Sequence, residues 1–367
     1  MAGRIVLFGA TGYTGELTAR ALVQRGARPV LAARSRDRVE ALGAELGGLP
    51  AAVADVARQA SVNALVERGD VLVSTVGPFA RWGEPALRAA IAAGAHYIDS
   101  TGEPTFIRTV FERLGADAET AGSGLLTAFG YDYVPGNLAA ALALREAGER
   151  AVSVDVGYFV SGGGPSAQAS GGTRASAVGM LAQPGYALRR GRLVSERAAR
   201  SVQCIDGRQA ISIGATEHFV LPRVHPGLRD VRVWLGWFGP ASRPLQAMSA
   251  ATALATKLPG ARAAIGATAG RLVKGSTGGP DAATRAKATS QITAIASDAD
   301  GTPLATVRLQ GINPYDFTAG MLAWGAIRAA DGGLLGTGAL GPVDAFGLDE
   351  LERGAAQAGL RRSDETA

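Results

Sequence analysis

Cysteine occurs once in the 367 residues, at Cys204, which excludes an internal disulfide framework. Histidine is nearly as scarce. His96, His218 and His225 form no familiar zinc-ligand spacing with that cysteine, so no metal is expected. No run of 18 apolar residues exists, and the first residues lack the charged-then-apolar pattern of a secretory leader, so a soluble, cytoplasmic protein is the expectation. Lysine is almost missing, with three among the 37 basic residues, and the net charge of +5 is scattered without interleaved aromatics. Nucleic acid is therefore not an expected partner. No tyrosine is followed four residues later by lysine, which excludes a Tyr-x-x-x-Lys proton-transfer pair.

What is present is globular: 47% hydrophobic and 19% charged residues, over a length that buries a large core and suits two domains better than one. Arg4-Ile5-Val6-Leu7-Phe8 is an apolar strand that runs straight into Gly9-Ala10-Thr11-Gly12-Tyr13-Thr14-Gly15, three glycines spaced G-x-x-G-x-x-G. Such spacing after a strand and before a helix is a dinucleotide-binding turn. The first glycine allows the sharp bend, the second lets the backbone approach a pyrophosphate, and the third lets the helix pack close to the strand. The pyrophosphate then rests on amides at the helix N-terminus. A helix is predicted over Glu16–Arg25, with Gly26 as its stop.

The second strand, Pro29–Ala33, ends at Arg34-Ser35-Arg36, and Arg34 lies 19 residues beyond Gly15. An NAD site would carry Asp or Glu near there, for the ribose 2′-hydroxyl. Arginine offers a planar fork of donors matched to phosphate oxygens, so Arg34, Ser35 and Arg36 point to NADP, unless Arg34 to Arg38 is only a solvated helix start.

Strand-like runs recur at Ile5–Phe8, Pro29–Ala33, Ala51–Ala54, Val71–Thr75, Ala95–Ile98 and Gly124–Ala128, with helical patterns between most of them. This predicts an α/β, doubly wound parallel sheet of the Rossmann kind, with ligands beyond the carboxyl ends of its strands. Asp55 follows the third strand and either meets the adenine edge or acts as a loop carboxylate or helix cap with Ser61. Thr75-Val76-Gly77-Pro78 follows the fourth and either passes close to the cofactor or is an ordinary turn.

The opening GATGYTG, the VGPF of Val76–Phe79, the HYIDSTGE of His96–Glu103 and the FGYDYVPGNLA of Phe129–Ala139 together resemble the saccharopine dehydrogenase-like oxidoreductases. The short branch that includes trans-acting enoyl reductases of actinobacterial lipid synthesis is the most similar. Ala169–Ala177 resembles that branch's SGGT-x-x-S element, and Gly338–Pro342 its C-terminal turn. Where the family commonly has GFDS-x-P-SDLG, this chain has Tyr133 for Ser and Gly136-Asn137 for Ser-Asp, a departure that bears on the substrate and leaves the nucleotide site alone.

The resemblance implies a Rossmann NADP-binding domain over 1–134, an inserted α+β substrate and dimerisation domain over 135–313, and C-terminal helices over 314–367 that return to the first domain. It also implies a small-molecule or acyl-carrier-linked substrate, a lipid-pathway or peripheral membrane association, and a homodimer. The residues are compatible with this. Val152–Val160 and Arg229–Phe238 alternate, and Gln291–Leu309 reads as a hairpin around Asp298–Gly301, which are antiparallel-sheet signals. Helical runs at Thr173–Leu181, Leu245–Leu258 and Phe317–Ala330 cover them, and Leu348–Leu360 is predicted as a final helix.

A nicotinamide supplies hydride, and the reduced atom then needs a proton. The candidate donors are Tyr131 or Tyr133 at the domain junction, with Asp132 orienting one of them, and Tyr97 or His96 near the fifth strand. Each of these is also accounted for by packing or capping. Arg174 either binds an anionic substrate group or is a surface arginine. The expected activity is NADP-dependent hydride transfer to a C=C or C=N bond. The alternatives are a non-catalytic NADP-sensing regulator and a saccharopine-type amino-acid dehydrogenase.

Overall fold

A computed structural model describes residues 3–162, 184–255 and 278–363. The chain divides into two compact units, Met1–Gly102 with Phe106–Val134 and Pro314–Gly359, and Glu103–Thr105 with Pro135–Asn313 and Leu360–Ala367. Arg174, the Ala169–Ala177 element and the helical run Thr173–Leu181 lie outside the described residues. No helix among the described residues is long and apolar enough to cross a membrane.

The first unit is built on β1 (Ile5–Phe8), β2 (Val30–Ala33), β3 (Ala51–Val53), β4 (Val71–Ser74), β5 (His96–Asp99) and β6 (Gly124–Leu126). These pair in parallel in the order β3-β2-β1-β4-β5-β6, the order in which dinucleotide-binding folds reverse direction beside their first strand. A seventh parallel strand, β15 (Gly338–Ala339), extends the β6 edge. The central strands are continuous apolar runs rather than alternating ones because both faces are covered: Val6, Leu7, Val71, Leu72 and Val73 are fully buried. Helix Pro314–Ala330 is buried along most of its length, and its Trp324 stacks on Phe129 at 6.4 Å and meets Phe346 edge-on at 4.7 Å.

Two boundaries differ from the sequence reading for identifiable reasons. The sixth strand stops at Leu126, short of Ala128, because Ala128 turns into the left-handed region (φ +57) and gives its amide to Asp99. The first helix, α1 (Tyr13–Gln24), starts three residues before Glu16, so Gly15 lies inside it.

Among the described residues, the second unit is built on a nine-stranded sheet. It comprises β7 (Ser153–Ser161), β8 (Pro184–Arg189), β9 (Arg192–Arg197), β10 (Val202–Ile205), β11 (Arg208–Ser212), β12 (Asp230–Leu235), β13 (Thr289–Ser297), β14 (Pro303–Gly311) and β16 (Leu360–Arg362). The expected hairpin is β13–β14, turning at Gly301 (φ +82) with Asp298 accepting the amides of Asp300 and Thr302. The expectation of an antiparallel sheet needs correction, since β7 and β12 run parallel at its centre. Alternation reports that one face is buried and carries no information about strand direction. The return of 314–367 to the first domain is also corrected at its end. Helix Leu348–Gln357 belongs to the first unit, but Leu360–Arg362 adds to β14 as an antiparallel edge strand of the second.

Candidate functional site

The three glycines of the β1–α1 turn do different work. Gly9 has φ +90, and a Cβ there would lie 2.7 Å from the Thr75 hydroxyl. Gly15 packs α1 onto the strand, since a Cβ would lie 2.1 Å from the Gly9 carbonyl oxygen. Gly12 is the exposed N-cap of α1, and among the described residues the only atom a Cβ would approach is that same oxygen, at 3.3 Å. Among the described residues the space over Gly12 and the helix N-terminus is therefore open, as a bound pyrophosphate requires. Thr75 closes the turn from β4, with its amide donating to Phe8 O (2.9 Å) and its hydroxyl shared between Phe8 O and Gly9 O (both 3.2 Å). Thr14 accepts from the Thr18 hydroxyl, and Tyr13 meets Tyr315 edge-on at 5.2 Å.

Past β2, Arg34 is exposed, and Ser35 is the N-cap of α2 (Arg36–Glu45) without a side-chain cap bond. Arg36 is paired with Glu40 at 3.1 Å along the helix. Arg38, which the sequence reading did not single out, reaches back to the Thr11 carbonyl at 3.0 Å and so ties α2 to the glycine turn. Arg34 and Arg38 lie on the two sides of the exposed Ser35 hydroxyl in the sequence. We expect NADPH to bind more tightly than NADH by about 1–3 kcal/mol, the range for a charge-assisted contact. Titration calorimetry on wild type, Arg34→Ala and Arg38→Ala checks this, and equal affinity of the wild type for both cofactors refutes it.

Asp55 serves its own loop: its carboxylate accepts the Ala57 amide (3.0 Å) and its amide donates to the Ser61 hydroxyl (3.0 Å). The loop-carboxylate alternative thus describes its contacts. Val76, Gly77 and Pro78 are part-buried at the β4 end, ahead of Phe79, whose ring packs 5.7 Å from Phe106. The Gly77–Pro78 and Asp132–Tyr133 peptides are both cis.

The ends of β5 and β6 are joined by a carboxylate, Asp99, which the sequence places at a strand end without showing its partners. Asp99, fully buried, accepts the amides of Thr101 and Ala128 and the Thr127 hydroxyl, each at 2.9 Å. Burial raises it to about 6 against the pull of these donors. Two proton-donor candidates drop into structural roles here. His96 Nδ1 accepts the Gly124 amide at 3.0 Å, with burial lowering its pKa, and Tyr97 is fully buried in the core.

The junction Tyr131-Asp132-Tyr133 follows β6 at the same carboxyl edge. Tyr131 and Tyr133 are buried, the Tyr131 amide donates to the Thr318 hydroxyl (3.0 Å), and the Tyr133 hydroxyl donates to Gly102 O (3.3 Å). Asp132 stands apart. It is half-buried and makes no hydrogen bond or ion pair among the described residues. Its carboxylate lies against Gly102, where a Cβ would come within 2.7 Å of Oδ2. Desolvation raises it to about 7. A carboxylic acid held near neutrality beside the carboxyl ends of a dinucleotide-binding sheet is equipped for proton transfer.

The departure at Gly136-Asn137 has a local cause in the second unit. The Gly136 amide donates to the Tyr158 hydroxyl (2.9 Å), which donates to Glu217 Oε1 (2.6 Å), and a Cβ on Gly136 would lie 2.1 Å from that hydroxyl. Asn137 donates to Thr216 (2.8 Å), so a fully buried carboxylate and helix start are held by one polar network. Tyr158 and Glu217 are 22 and 59 residues from their partners, and no sequence pattern signals them.

Comparison with known proteins bears on the first unit above all. Residues 5–126 match the saccharopine dehydrogenase NADP-binding domain. A provisionally named trans-acting enoyl reductase of Mycobacterium tuberculosis is 42% identical over 140 residues, 36% of this chain and 33% of its own length. The trans-acting enoyl reductase of Mycobacterium ulcerans is 39% identical over 140 residues, 36% of this chain and 34% of its own. The matched region thus spans about a third of these relatives. In structure, the chain is similar to apo saccharopine dehydrogenase (L-Glu forming) from Saccharomyces cerevisiae, with a TM-score of 0.60 over 98% of this chain and 99% of that one at 12% identity, a likeness of fold.

Proposed function

We propose, from the premise that residues 5–126 form a saccharopine dehydrogenase-type NADP-binding domain, that the protein is an NADPH-dependent oxidoreductase reducing a polarised C=C or C=N bond of a small or carrier-linked metabolite. The enoyl reductase names of the relatives favour the C=C bond of an enoyl thioester. Bound NADPH supplies the hydride. Hydride addition leaves the substrate with an electron pair and negative charge, which is neutralised by a proton.

Asp132 is the group that gives that proton. The observation that carries this reading is its carboxyl, poised at about 7, unpaired among the described residues and on the same unit as the open glycine turn. Tyr133 positions it by holding Gly102, against which the carboxylate lies. Around pH 7 the side chain is present as acid and as base in similar amounts, so it donates and is reprotonated without a large barrier. Gly12 and the first turn of α1 bind the pyrophosphate, and Arg34 with Arg38 takes the 2′-phosphate.

The test is NADPH oxidation followed against enoyl thioesters, cyclic imines and 2-keto acids. Oxidation with an enoyl thioester or an imine is the expected result. Tight NADPH binding with no turnover of any of them would favour a nucleotide sensor, and turnover of the keto acids alone would favour an amino-acid dehydrogenase.

A further inference from the structure

The Asp132 carboxylate lies between two backbone segments that are both tied to Asp99. One is the loop after β5: Asp99 Oδ1 accepts the Thr101 amide at 2.9 Å, and the next residue is Gly102, against which the Asp132 carboxylate lies. The other is the turn after β6. There Asp99 Oδ1 also accepts the Ala128 amide (2.9 Å), Oδ2 accepts the Thr127 hydroxyl (2.9 Å), and the Asp99 carbonyl accepts the Phe129 amide (2.7 Å). The Ala128 carbonyl then accepts the Tyr133 amide at 2.7 Å and closes the turn that carries Asp132. The two segments meet again where the Tyr133 hydroxyl donates to Gly102 O.

This arrangement leaves one place for the carboxylate. Among the described residues, the three heavy atoms nearest to a Cβ on Gly102 all belong to Asp132, Oδ2 at 2.7 Å, Cγ at 3.3 Å and Cβ at 3.6 Å. The Asp132 side chain thus fills the position that a side chain at 102 would take. Asp99 is fully buried, where a carboxylate is costly unless its oxygens are bonded, and its donors come from both segments. An apolar residue would fill that volume with less desolvation but would fix neither segment.

We propose that Asp99 is a positioning residue, which ties the 101–102 loop to the 127–133 turn and so keeps the Asp132 carboxyl against Gly102 and out of water. Its consequence for turnover rests on Asp132 as the proton donor, but the placement of Asp132 does not. The hold is one of geometry rather than charge. Burial accounts for the shift at Asp132, and Tyr97, the titratable side chain beside Asp99, is kept neutral by burial and by the Asp99 carboxylate.

The experiment compares the wild type, Asp99→Ala, Asp99→Asn and Gly102→Ala, each with and without Asp132→Asn. Thermal melts are taken between about pH 4 and pH 8, and NADPH oxidation is followed against pH with the N-acetylcysteamine thioester of trans-2-octenoic acid. In Asp99→Ala the carboxyl gains access to water. The gain in melting temperature that Asp132→Asn brings at pH 8 should therefore shrink by about half or more, the alkaline limb of the rate should move below about pH 7, and kcat should fall at least about tenfold with NADPH affinity unchanged. Asp99→Asn should restore most of each, because its Oδ1 still accepts both amides and its Nδ2 donates to the Thr127 hydroxyl. Gly102→Ala adds one methyl where Asp132 stands and should reproduce the Asp99→Ala result, which keeps the test decisive if Asp99→Ala does not fold. An Asp132→Asn gain at pH 8 that is unchanged in Asp99→Ala or in Gly102→Ala overturns the proposal, as does Asp99→Asn behaving like Asp99→Ala. Full activity of Asp132→Asn, with a melting difference that still shrinks in these variants, would instead refute the proton-donor reading and leave the role of Asp99 standing.

Discussion

Gly12→Val is expected to lower NADPH affinity by about 100-fold or more while leaving the thermal stability of the protein close to that of the wild type. Gly12 has extended backbone angles (φ −86°, ψ 167°) that valine adopts without strain, and among the described residues a β-carbon there meets only the Gly9 carbonyl at 3.3 Å. The added methyls fill the space over the first turn of α1, where a pyrophosphate would take its amide bonds. Gly15→Val is the control with the opposite signature. Its β-carbon would lie 2.1 Å from the Gly9 carbonyl oxygen and 2.8 Å from the carbonyl carbon, so helix and strand must separate, at a cost of roughly 3 kcal/mol or more. Fluorescence titration with NADPH beside thermal melts separates the two. Unchanged affinity in Gly12→Val would show that the turn is not the nucleotide site.

Asp132→Asn is expected to reduce turnover by roughly 100-fold or more and to remove a limb from the pH profile. In the wild type the acid form prevails below about pH 7, so the rate should fall as pH rises through that value. The variant should be flat there. Stability gives an independent reading. The folded-state pKa is raised, so between the usual carboxylate range near 4 and about 7 the unfolded chain has lost a proton that the native state retains. Wild-type stability therefore declines across that window, and above it the full cost of a desolvated carboxylate is present. The melting temperature of Asp132→Asn should exceed that of the wild type at pH 8, and the difference should vanish below pH 4. Asp132→Asn retaining full activity while Tyr131→Phe or Tyr133→Phe loses it would move the proton donor to the tyrosine.

The glycine turn and the basic stretch after the second strand were legible because each of their signals is local. Gly9, Gly12 and Gly15 recur at every third position, and Arg34 follows a strand whose length the apolar run declares. Arg36 and Arg38 show where such reading stops. On paper both follow Arg34 on the same segment, yet helical geometry pairs Arg36 with Glu40 four residues on and sends Arg38 to Thr11, 27 residues away. Asp99 was visible as a strand-end residue, but its work is done on Thr127 and Ala128, which only strand pairing brings beside it.

By itself the sequence determined the parallel sheet, its glycine turn and the absence of a Tyr-x-x-x-Lys pair, because apolar runs, glycine spacing and residue identity act within one element and its immediate neighbours. The tertiary structure decided which carboxylate is hydrogen-bonded and which is desolvated without a partner among the described residues. Asp99 and Asp132 are the same residue type near neighbouring strand ends, and they differ in the donors that surround them: Asp99 accepts hydrogen bonds from Thr101, Thr127 and Ala128, while Asp132 is desolvated with no hydrogen bond among the described residues. The parallel β7–β12 pair and the return of Leu360–Arg362 to β14 were likewise settled by pairing across the fold. A pKa or a strand direction depends on what lies beside a residue in space, and the chain brings those neighbours from tens to hundreds of residues away.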